Sequence, residues 1–400
     1  MSEQKIAEVF PPPESSSSPS AAAIFGSFLH LGVTSFGGPA MIAHIKELSV
    51  TRNKWLTGET FKDGIVICQS VPGATAMQMA AYVGLRVRGL RGAVASYVGF
   101  GLPAFLLMLA FAILYSGSRE IPLVHSLFQG LQVMVVAIVA NATFTFGRDI
   151  GKKPLNLLLA AVAAALFWVG VSPFVVIVGA AIVGGLIFND PETPPLSGKR
   201  EGDAGHVPRP IVTFMILVCA GVVGLYFADR KLYQLAALML RIDLFAFGGG
   251  FASLPLMFHE VVNAMGWLDG KTFMDGIALG QVTPGPIIIT ATFVGYLVRG
   301  FPGALVATAA IFTPSFVVLV GVTPFFDRLK NARHFSGATR GILASFVGLL
   351  LYMTIRFAWA VPWDAVKVLF GIAVIVALAR KMNILYVVLV GSALSVVIFR

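Results

Sequence analysis

Long apolar runs separated by short polar segments dominate this chain. In the first half the runs lie at about 21–36, 59–87, 92–115, 123–146, 155–170 and 173–188. One further run lies at about 211–227, and six more follow at about 232–249, 272–299, 302–325, 336–358, 364–379 and 383–399. Several runs have 16–17 residues, the short end of what spans a ~30 Å hydrocarbon core. The pattern predicts an all-α polytopic membrane protein.

A set of short motifs occurs once in each half. The first copy reads Phe36-Gly37-Gly38, Trp55-Leu56, Gln69-x-x-Pro72-Gly73, Arg88-Gly89 and Pro103-x-Phe105. The second copy reads Phe247-Gly248-Gly249, Trp267-Leu268, Gln281-x-x-Pro284-Gly285, Arg299-Gly300 and Pro314-x-Phe316. Corresponding residues are 211 or 212 positions apart. Paired apolar segments that Gly and Pro interrupt at matching places indicate a transporter built from two homologous halves, and they indicate its substrate site.

Composition excludes a soluble globular domain. The chain is 57% hydrophobic and only 12% charged, with a mean hydropathy of +0.86, too few charges to cover a soluble surface. The net charge of +10 is first explained by Lys and Arg in cytoplasmic loops, and secondly by a field that attracts anions. The two cysteines lie in apolar runs and favour neither a disulfide framework nor a metal site. No phosphate-binding Gly-x-x-x-x-Gly-Lys-Ser/Thr loop occurs, so we expect no cofactor.

The polar segments divide the chain into five parts. Residues 1–20 form a Pro- and Ser-rich tail that we expect to be disordered and that does not resemble a signal peptide. The first repeat spans 21–190, a polar linker spans 191–210, a connecting transmembrane helix spans 211–231, and the second repeat spans 232–400.

Two membrane topologies fit this division. If each interrupted run crosses once, each half has six crossings and the connector adds one, about 13 transmembrane helices in all. The odd connector then inverts the second half, with the N-terminus inside. If the Pro-Gly runs are re-entrant hairpins instead, Lys46 to Lys62 move inside and Arg328 to Lys381 move out. The distribution of Lys and Arg fits both arrangements about equally well.

A Pro-Gly pair interrupts one apolar run in each half. Pro284 ends the helix before it, Gly285 adopts backbone angles that other residues avoid, and Pro286 suits the first position of a new helix. The N–H groups of that new helix form an anion site without any charged side chain. Pro72 and Gly73 offer the same arrangement in the first half. A kink braced by neighbouring helices is the alternative, and two copies in register favour the anion site.

Polar side chains accompany both interruptions. Gln69 and Gln281 bring neutral amide donors, and Ser70, Thr75 and Thr283 add hydroxyl groups. The Phe-Gly-Gly motifs are a second pair of interruptions, where bare glycines allow a ligand or another helix to approach closely.

Charged residues are less clearly placed. Arg88 and Arg299 suit loop anchors first and charges at a vestibule second. His44 is first a structural residue at a membrane edge and secondly an anion or proton contact. Asp63 and Asp275 correspond in the two halves and lie in the first turns of helices that Thr57 and Asp269 would cap, with proton coupling as the second interpretation.

Arg241 and Asp243 lie inside an apolar run, where charges are expensive unless paired or facing a cavity. They have no counterpart in the first half, so they are not part of the repeated site. The candidate substrate-binding residues are Gly37, Gly38, Pro39, His44, Gln69, Ser70, Pro72, Gly73, Thr75, Arg88, Gly248, Gly249, Gln281, Thr283, Pro284, Gly285, Pro286 and Arg299.

Over about residues 21–400 the chain resembles the chromate ion transporter family in its long, two-domain form. The resemblance rests on Phe-Gly-Gly-Pro-x-x-x-x-His at 36–44, Trp-Leu-Thr-x-x-x-Phe at 55–61, Gln-x-x-Pro-Gly at 69 and 281, Phe-Gly-Gly-Gly at 247, and Thr-Pro-Gly-Pro at 283–286. It implies oppositely oriented halves and export of chromate across the bacterial cytoplasmic membrane, which confers chromate resistance. Ala74 departs from the family's Pro-Gly-Pro pattern, so the first helix is expected to start less tightly than the second.

The resemblance favours a secondary transporter. Expected partners are chromate, its isostere sulfate, and membrane lipid; a homodimer is left open, and nucleic acid is not expected. A sulfate or other oxyanion carrier and an anion channel in the same frame are the alternatives. A membrane-embedded enzyme is disfavoured, because Asp63 and Asp275 are the only candidate catalytic residues that the apolar segments repeat.

Inverted halves predict a labelling pattern. Single cysteines placed in the 44–58 loop and in the 251–270 loop, in a cysteine-free background, should react with an impermeant maleimide from opposite sides of the membrane. Reaction from the same side would contradict the inverted arrangement.

Overall fold

The computed structural model describes residues 19–36, 38–118, 121–151, 154–188, 209–325 and 333–399. Most of the predicted N-terminal tail, most of the polar linker, and Gly37 lie outside the described residues. Within these ranges the chain folds into α-helices with short π- and 3₁₀-helical turns, and no strand occurs among them.

The described part of the first half contains seven α-helices. They are α1 (Ala21–Thr34), α2 (Gly38–Lys46, continued by a π-helical turn Glu47–Arg52), α3 (Gly58–Ser70), α4 (Thr75–Ser118), α5 (Pro122–Ile150), α6 (Pro154–Trp168) and α7 (Pro173–Ile187). Helix α8 (Arg209–Ala228) connects the halves.

The second half repeats these seven helices in the same order. They are α9 (Arg230–Leu244), α10 (Gly250–Phe258, continued by a π-helical turn His259–Ala264), α11 (Gly270–Val282), α12 (Thr290–Val322, preceded by a 3₁₀ turn Ile287–Ile289), α13 (Arg333–Ala360), α14 (Ala365–Ala379) and α15 (Ile384–Ile398). The predicted N-caps of α3 and α11 are confirmed, because Thr57 accepts the N–H of Thr60 and Asp269 accepts the N–H of Thr272.

Each Pro-Gly segment folds back on itself. Tyr82 Oη donates to the carbonyl oxygen of Thr60 at 3.2 Å although the two residues are 22 positions apart. A helix continuing through the interruption would separate them by about 33 Å. In the second half a Cβ on Gly276 would collide with the ring of Phe293, so the helices on either side of Pro284 and Gly285 also lie side by side. The Pro-Gly segments are therefore helical hairpins, as in the second of the two topologies that the sequence left open, and the count of about 13 crossings is not confirmed.

A second reversal closes each hairpin. Arg88 and Gly89 have φ/ψ of −145°/31° and 58°/−152°, and Arg299 and Gly300 have −147°/27° and 62°/−151°. The positive φ at the second residue of each reversal requires glycine. The reversals divide α4 into arms 75–87 and 90–118, and α12 into arms 290–298 and 301–322.

Bare backbone lets the two arms of each helix touch. A Cβ on Gly84 would collide with the carbonyl oxygen of Gly92, and a Cβ on Gly295 would collide with that of Gly303. Glycines at helix crossings allow this close approach in membranes. Equivalent glycine pairs thus hold equivalent reversals.

The chain also turns back at the Phe-Gly-Gly motifs. Arg241 of α9 forms an ion pair with Glu260, which follows α10. A straight helix would place these residues about 28 Å apart, more than their side chains can span. In the first half the Oγ of Ser35 lies 3.2 Å from Nδ1 of His44, nine positions on. Each half therefore begins with two consecutive helical hairpins.

Helices of one half pack on helices of the other in a reciprocal pattern. Helix α13 packs on α6 and α7, and the equivalent α5 packs on α14 and α15. Thr143 and its counterpart Thr354 bond to each other through their hydroxyls at 3.0 Å. A contact between equivalent residues marks a pseudo-twofold axis that relates the halves.

Large apolar side chains cover the outside. Phe227, Trp359, Leu369 and Val397 are each at least 68% exposed. Five described helical segments are long and apolar enough to cross a membrane: 75–118, 122–148, 211–228, 287–325 and 336–360. An apolar exterior of this kind is stable in lipid and not in water, so the chain is a multi-pass membrane protein.

The close glycine contacts predict which helix positions tolerate a side chain. Gly295→Val should destabilise the α12 reversal by about 1–3 kcal/mol, because valine must displace the backbone of Gly303. Gly321→Val is the matched control on the same helix, where a Cβ meets nothing within 4 Å. Thermal unfolding in detergent measures both, and equal melting temperatures for the two variants would contradict this packing.

Candidate functional site

The interruptions of the two halves meet between them. The N–H of Gly73 donates to the carbonyl oxygen of Ala246 at 3.0 Å, and the N–H of Gly285 donates to that of Ser35 at 3.0 Å. Ser35 and Ala246 are equivalent residues, each directly before a Phe-Gly-Gly motif. Each half therefore satisfies a backbone group of the other half at a place where no helix can do so. We call this crossing of four interruptions the junction.

Both glycines of the junction are required by geometry. Gly73 has φ +116° and Gly285 has φ +99°, values that side chains disfavour. A Cβ on Gly73 would collide with Ser315, and a Cβ on Gly285 would lie 2.9 Å from the Cβ of Ala104. Ser315 and Ala104 each follow the proline of an equivalent Pro-x-Phe motif.

Helix N-termini converge at the junction. A Cβ on Gly249 would lie 3.3 Å from Thr75 Oγ1, at the start of α4, and a Cβ on Gly250 would lie 3.9 Å from the backbone nitrogen of Ile288. Neither α10 nor the turn at Ile287 has a side-chain cap. Their first N–H groups have no partner within the helix and carry the positive end of its dipole. Thr75 and Gly249 are half-buried.

The second hairpin starts differently from the prediction. Pro286 is extended, with ψ 138°, and precedes a 3₁₀ turn, so it is not the first helical residue. In the first half α4 begins directly after Ala74, so the expectation of a looser start there is wrong. The offset between the halves falls from 212 to 211 along this arm. A 3₁₀ turn rises about 2.0 Å per residue against about 1.5 Å in an α-helix, which compensates for the missing residue.

Two buried donors near the interruption at Pro284 and Gly285 have no partner among the described residues. They are Nε2 of Gln281 and Oγ of Ser253, and Ser253 lies in the first turn of α10. Thr283 is less available, because its hydroxyl donates to the carbonyl oxygen of Gly280 at 2.9 Å. Buried donors without partners are rare and costly, so these two atoms mark a place for a ligand or water.

The interruption at Pro72 and Gly73 has other polar neighbours. Gln69, the counterpart of Gln281, is exposed, and Ser70 Oγ donates to the carbonyl oxygen of Val66 at 2.7 Å. Gln78 is fully buried and donates through Nε2 to the carbonyl oxygen of Pro72 at 2.5 Å, while its Oε1 has no partner in the described part of the chain. Gln78 belongs to no repeated motif, so the sequence pattern does not predict it.

Other predicted residues surround the junction or leave it. His44 is exposed but reaches Ser35, whose carbonyl oxygen accepts from Gly285. Gly248, with φ +101°, faces Phe346 of α13. Gly38 and Pro39 begin α2.

Arg88 and Arg299 occupy the reversals, about 20 Å from the interruptions by helix length. Arg88 Nη1 donates to the carbonyl oxygen of Pro19 at 2.9 Å, and Arg299 Nε donates to Asp229 Oδ2 at 2.8 Å. The bond from Arg299 lowers the pKa of the Asp229 carboxyl. Both arginines thus hold the N-terminus of the first helix of their own half, and this geometry favours the anchor interpretation.

A buried carboxylate also contacts the junction. Asp243 is fully buried and accepts the N–H of Ser315 at 2.7 Å. Ser315 Oγ lies 3.1 Å from Tyr97 Oη. The sequence analysis noted the cost of burying Asp243 but set it aside, because nothing in the first half corresponds to it.

A polar cavity lies away from the junction. It measures about 370 Å³ and is lined by residues that include His125, Lys271, Asp275 and Lys367. Asp275 accepts from Tyr115 Oη at 2.8 Å and from Gln132 Nε2 at 2.9 Å. Asp275 is therefore held by the first half, whereas Asp63, its counterpart, is only half-buried.

Comparison with known proteins identifies relatives along the whole chain. The profile of the family described as chromate transporter matches residues 22–185 and again 233–396. An uncharacterized transporter of Methanocaldococcus jannaschii is 43% identical over 392 residues, 96% of each chain. A chromate transport protein of Cupriavidus metallidurans is 30% identical over 81% of this chain and 79% of its own. A chromate transport protein of Pseudomonas aeruginosa is 28% identical over 98% of this chain and 94% of its own. No solved structure matches the chain.

The contact between Gly285 and Ala104 predicts a rescue. Gly285→Ala should destabilise the protein by about 1–3 kcal/mol, through strain at positive φ and collision with Ala104. Adding Ala104→Gly should restore part of that loss, whereas adding Ala112→Gly, on the same helix, should not. Additive melting shifts for Gly285→Ala and Ala104→Gly would contradict the contact.

Proposed function

The chain belongs to the chromate transporter family, and we propose that it is a secondary transporter that exports chromate across the cytoplasmic membrane. Chromate is a tetrahedral dianion. Leaving a cell at about 100 mV, negative inside, it gains roughly 4.6 kcal/mol. That energy sustains a gradient on the order of a thousandfold, so export needs no ATP. Relatives named as chromate transport proteins support this substrate.

One observation carries the proposed site. Two uncapped helix N-termini meet at the junction, and two buried donors on the segments beside it, Gln281 Nε2 and Ser253 Oγ, have no partner among the described residues. Fixed neutral donors bind an anion strongly where water is scarce, because they need no reorganisation and no counter-charge. We place the oxyanion at the junction, between Thr75, Gly249 and Gln281. Gly285 positions this site, and its own N–H is already bonded to Ser35.

We propose inverted halves with nine crossings. Because both interruptions of each half fold back, the crossings of a half are the long arm of α4 or α12 and the three helices after it. With α8, five crossings separate equivalent points, and an odd number inverts the second half. Tyr115 supports this arrangement. It lies 26 residues beyond Gly89 on the long arm of α4, yet its hydroxyl bonds Asp275 near the start of α11, in the Pro-Gly hairpin of the second half. Parallel halves would separate these residues by about 39 Å.

Uptake into inside-out vesicles tests the proposed function. Vesicles from cells producing the protein should accumulate chromate, and sulfate, its isostere, should compete. Trans-stimulation by chromate inside the vesicles would identify a carrier, and its absence would favour an anion channel in the same frame. Uptake no faster than in vesicles that lack the protein would contradict the proposal.

The two glutamines are predicted to differ. Gln281→Leu should weaken chromate binding by about 1–3 kcal/mol, because it removes a buried donor to a charge. Gln69→Leu is the matched variant at the equivalent, exposed position and should cost less, because solvent screens its contact. Competition binding on purified protein measures both. Equal affinity of wild type and Gln281→Leu would show that the amide only braces the hairpin.

A further inference from the structure

Asp243 is a titratable group that the proposed anion site does not explain. It lies near the end of α9 and is fully buried. Its Oδ2 accepts the N–H of Ser315 at 2.7 Å, and its Oδ1 is buried without a partner in the described part of the chain. In an apolar setting, one backbone donor offsets only a small part of the free energy that it costs to bury a charged carboxylate.

Asp243 is coupled to the junction through one residue. The backbone nitrogen of Ser315 bonds Asp243, and the side chain of Ser315 packs against Gly73 of the first interruption. Gln78 Nε2 and Ser315 Oγ each lie 3.0 Å from the position of a Cβ on Gly73. Gln78 Oε1 is a second buried acceptor without a described partner. Two acceptor oxygens at one interruption are suited to a proton, not to an anion.

No described cation offsets the charge of Asp243. Arg241, on the same helix, pairs with Glu260 and stacks on Phe174. Helices α8, α10 and α12 pack against α9; the residues 250–258 of α10 are uncharged, and Arg299 of α12 is held by Asp229. From α4, Tyr97 faces Asp243 across Ser315. A dianion at the junction therefore meets an unscreened carboxylate, and repulsion between like charges favours protonation of that carboxylate.

The first half has no such group. Gly32 stands where the second half has Asp243, and a Cβ there would lie 2.5 Å from the carbonyl oxygen of Phe100. Among the described residues, Asp243 is therefore the one buried carboxylate that contacts the junction, although the backbone of the junction is duplicated.

We propose that Asp243 takes up one proton when an oxyanion occupies the junction, so that a proton and the anion cross in the same direction. The inference rests on the proposed function and deepens it. On binding, a proton from water converts the Asp243 carboxylate to the acid at Oδ1; on release of the anion the acid returns that proton to the opposite side. No other bond changes. Each transported dianion then carries a net charge of −1 across the membrane, so the membrane potential supplies half the energy that uncoupled export of the dianion would gain.

Proton uptake on anion binding tests the coupling directly. Purified full-length protein in weak buffer is titrated with sulfate, which does not itself titrate near neutral pH, and with chromate under alkaline conditions. Wild type should take up a proton from solution as it binds. Between the pKa of Asp243 in the free protein and its higher pKa in the anion complex, the dissociation constant of the anion should rise about tenfold per pH unit, the slope of a one-proton linkage.

Asp243→Asn separates coupling from folding. Asparagine keeps the shape and the acceptor for the N–H of Ser315, so this variant should bind the anion with no proton uptake and little dependence on pH. Asp275→Asn, at a second buried carboxylate away from the junction, should behave like wild type. Three results would overturn the inference: a pH slope that persists in Asp243→Asn, a slope that is lost in Asp275→Asn, or no slope in wild type. Failure of both anions to bind wild type would instead contradict the proposed function.

Discussion

A helix interrupted within a membrane leaves N–H and C=O groups that lipid cannot satisfy. This protein satisfies two of them by exchange between its halves, through the bonds from Gly73 to Ala246 and from Gly285 to Ser35. Neither half is complete alone, because each supplies the acceptor that the other requires. The two-fold repeat in the sequence is therefore a structural necessity at the place where the chain gives up its helices.

The exchange fixes the surrounding packing. A glycine N–H reaches the opposite carbonyl only if no side chain intervenes, so the glycines of the junction contact Ser315 and Ala104 directly. The scaffold is symmetric, but the chemistry on it is not. Within the described part of the chain, buried donors without a partner occur near Pro284 and Gly285, at Gln281 and Ser253, and buried acceptors without a partner occur near Pro72 and Gly73, at Gln78 and Asp243. This separation by sign is what an anion and a proton would need side by side.

The sequence predicted the repeat, the positions of all four interruptions and the caps at Thr57 and Asp269, because glycine, proline and capping residues act locally. It did not decide whether the interrupted segments cross the membrane or fold back, since a Pro-Gly pair indicates that a helix ends but not at what angle the next one leaves. Arg88 and Gly89 had the signature of a loop, and only the dihedral angles show a reversal. Gln69 and Gln281 match in sequence yet differ in exposure, because burial depends on the opposite half.

The proposed oxyanion site lies where the two halves exchange backbone hydrogen bonds. An anomalous difference map at the chromium absorption edge, from crystals of the protein with chromate, would locate the bound anion. We expect one chromium peak between Thr75, Gly249 and Gln281. A peak confined to the cavity beside Asp275 and Lys367, with none at the junction, would contradict it.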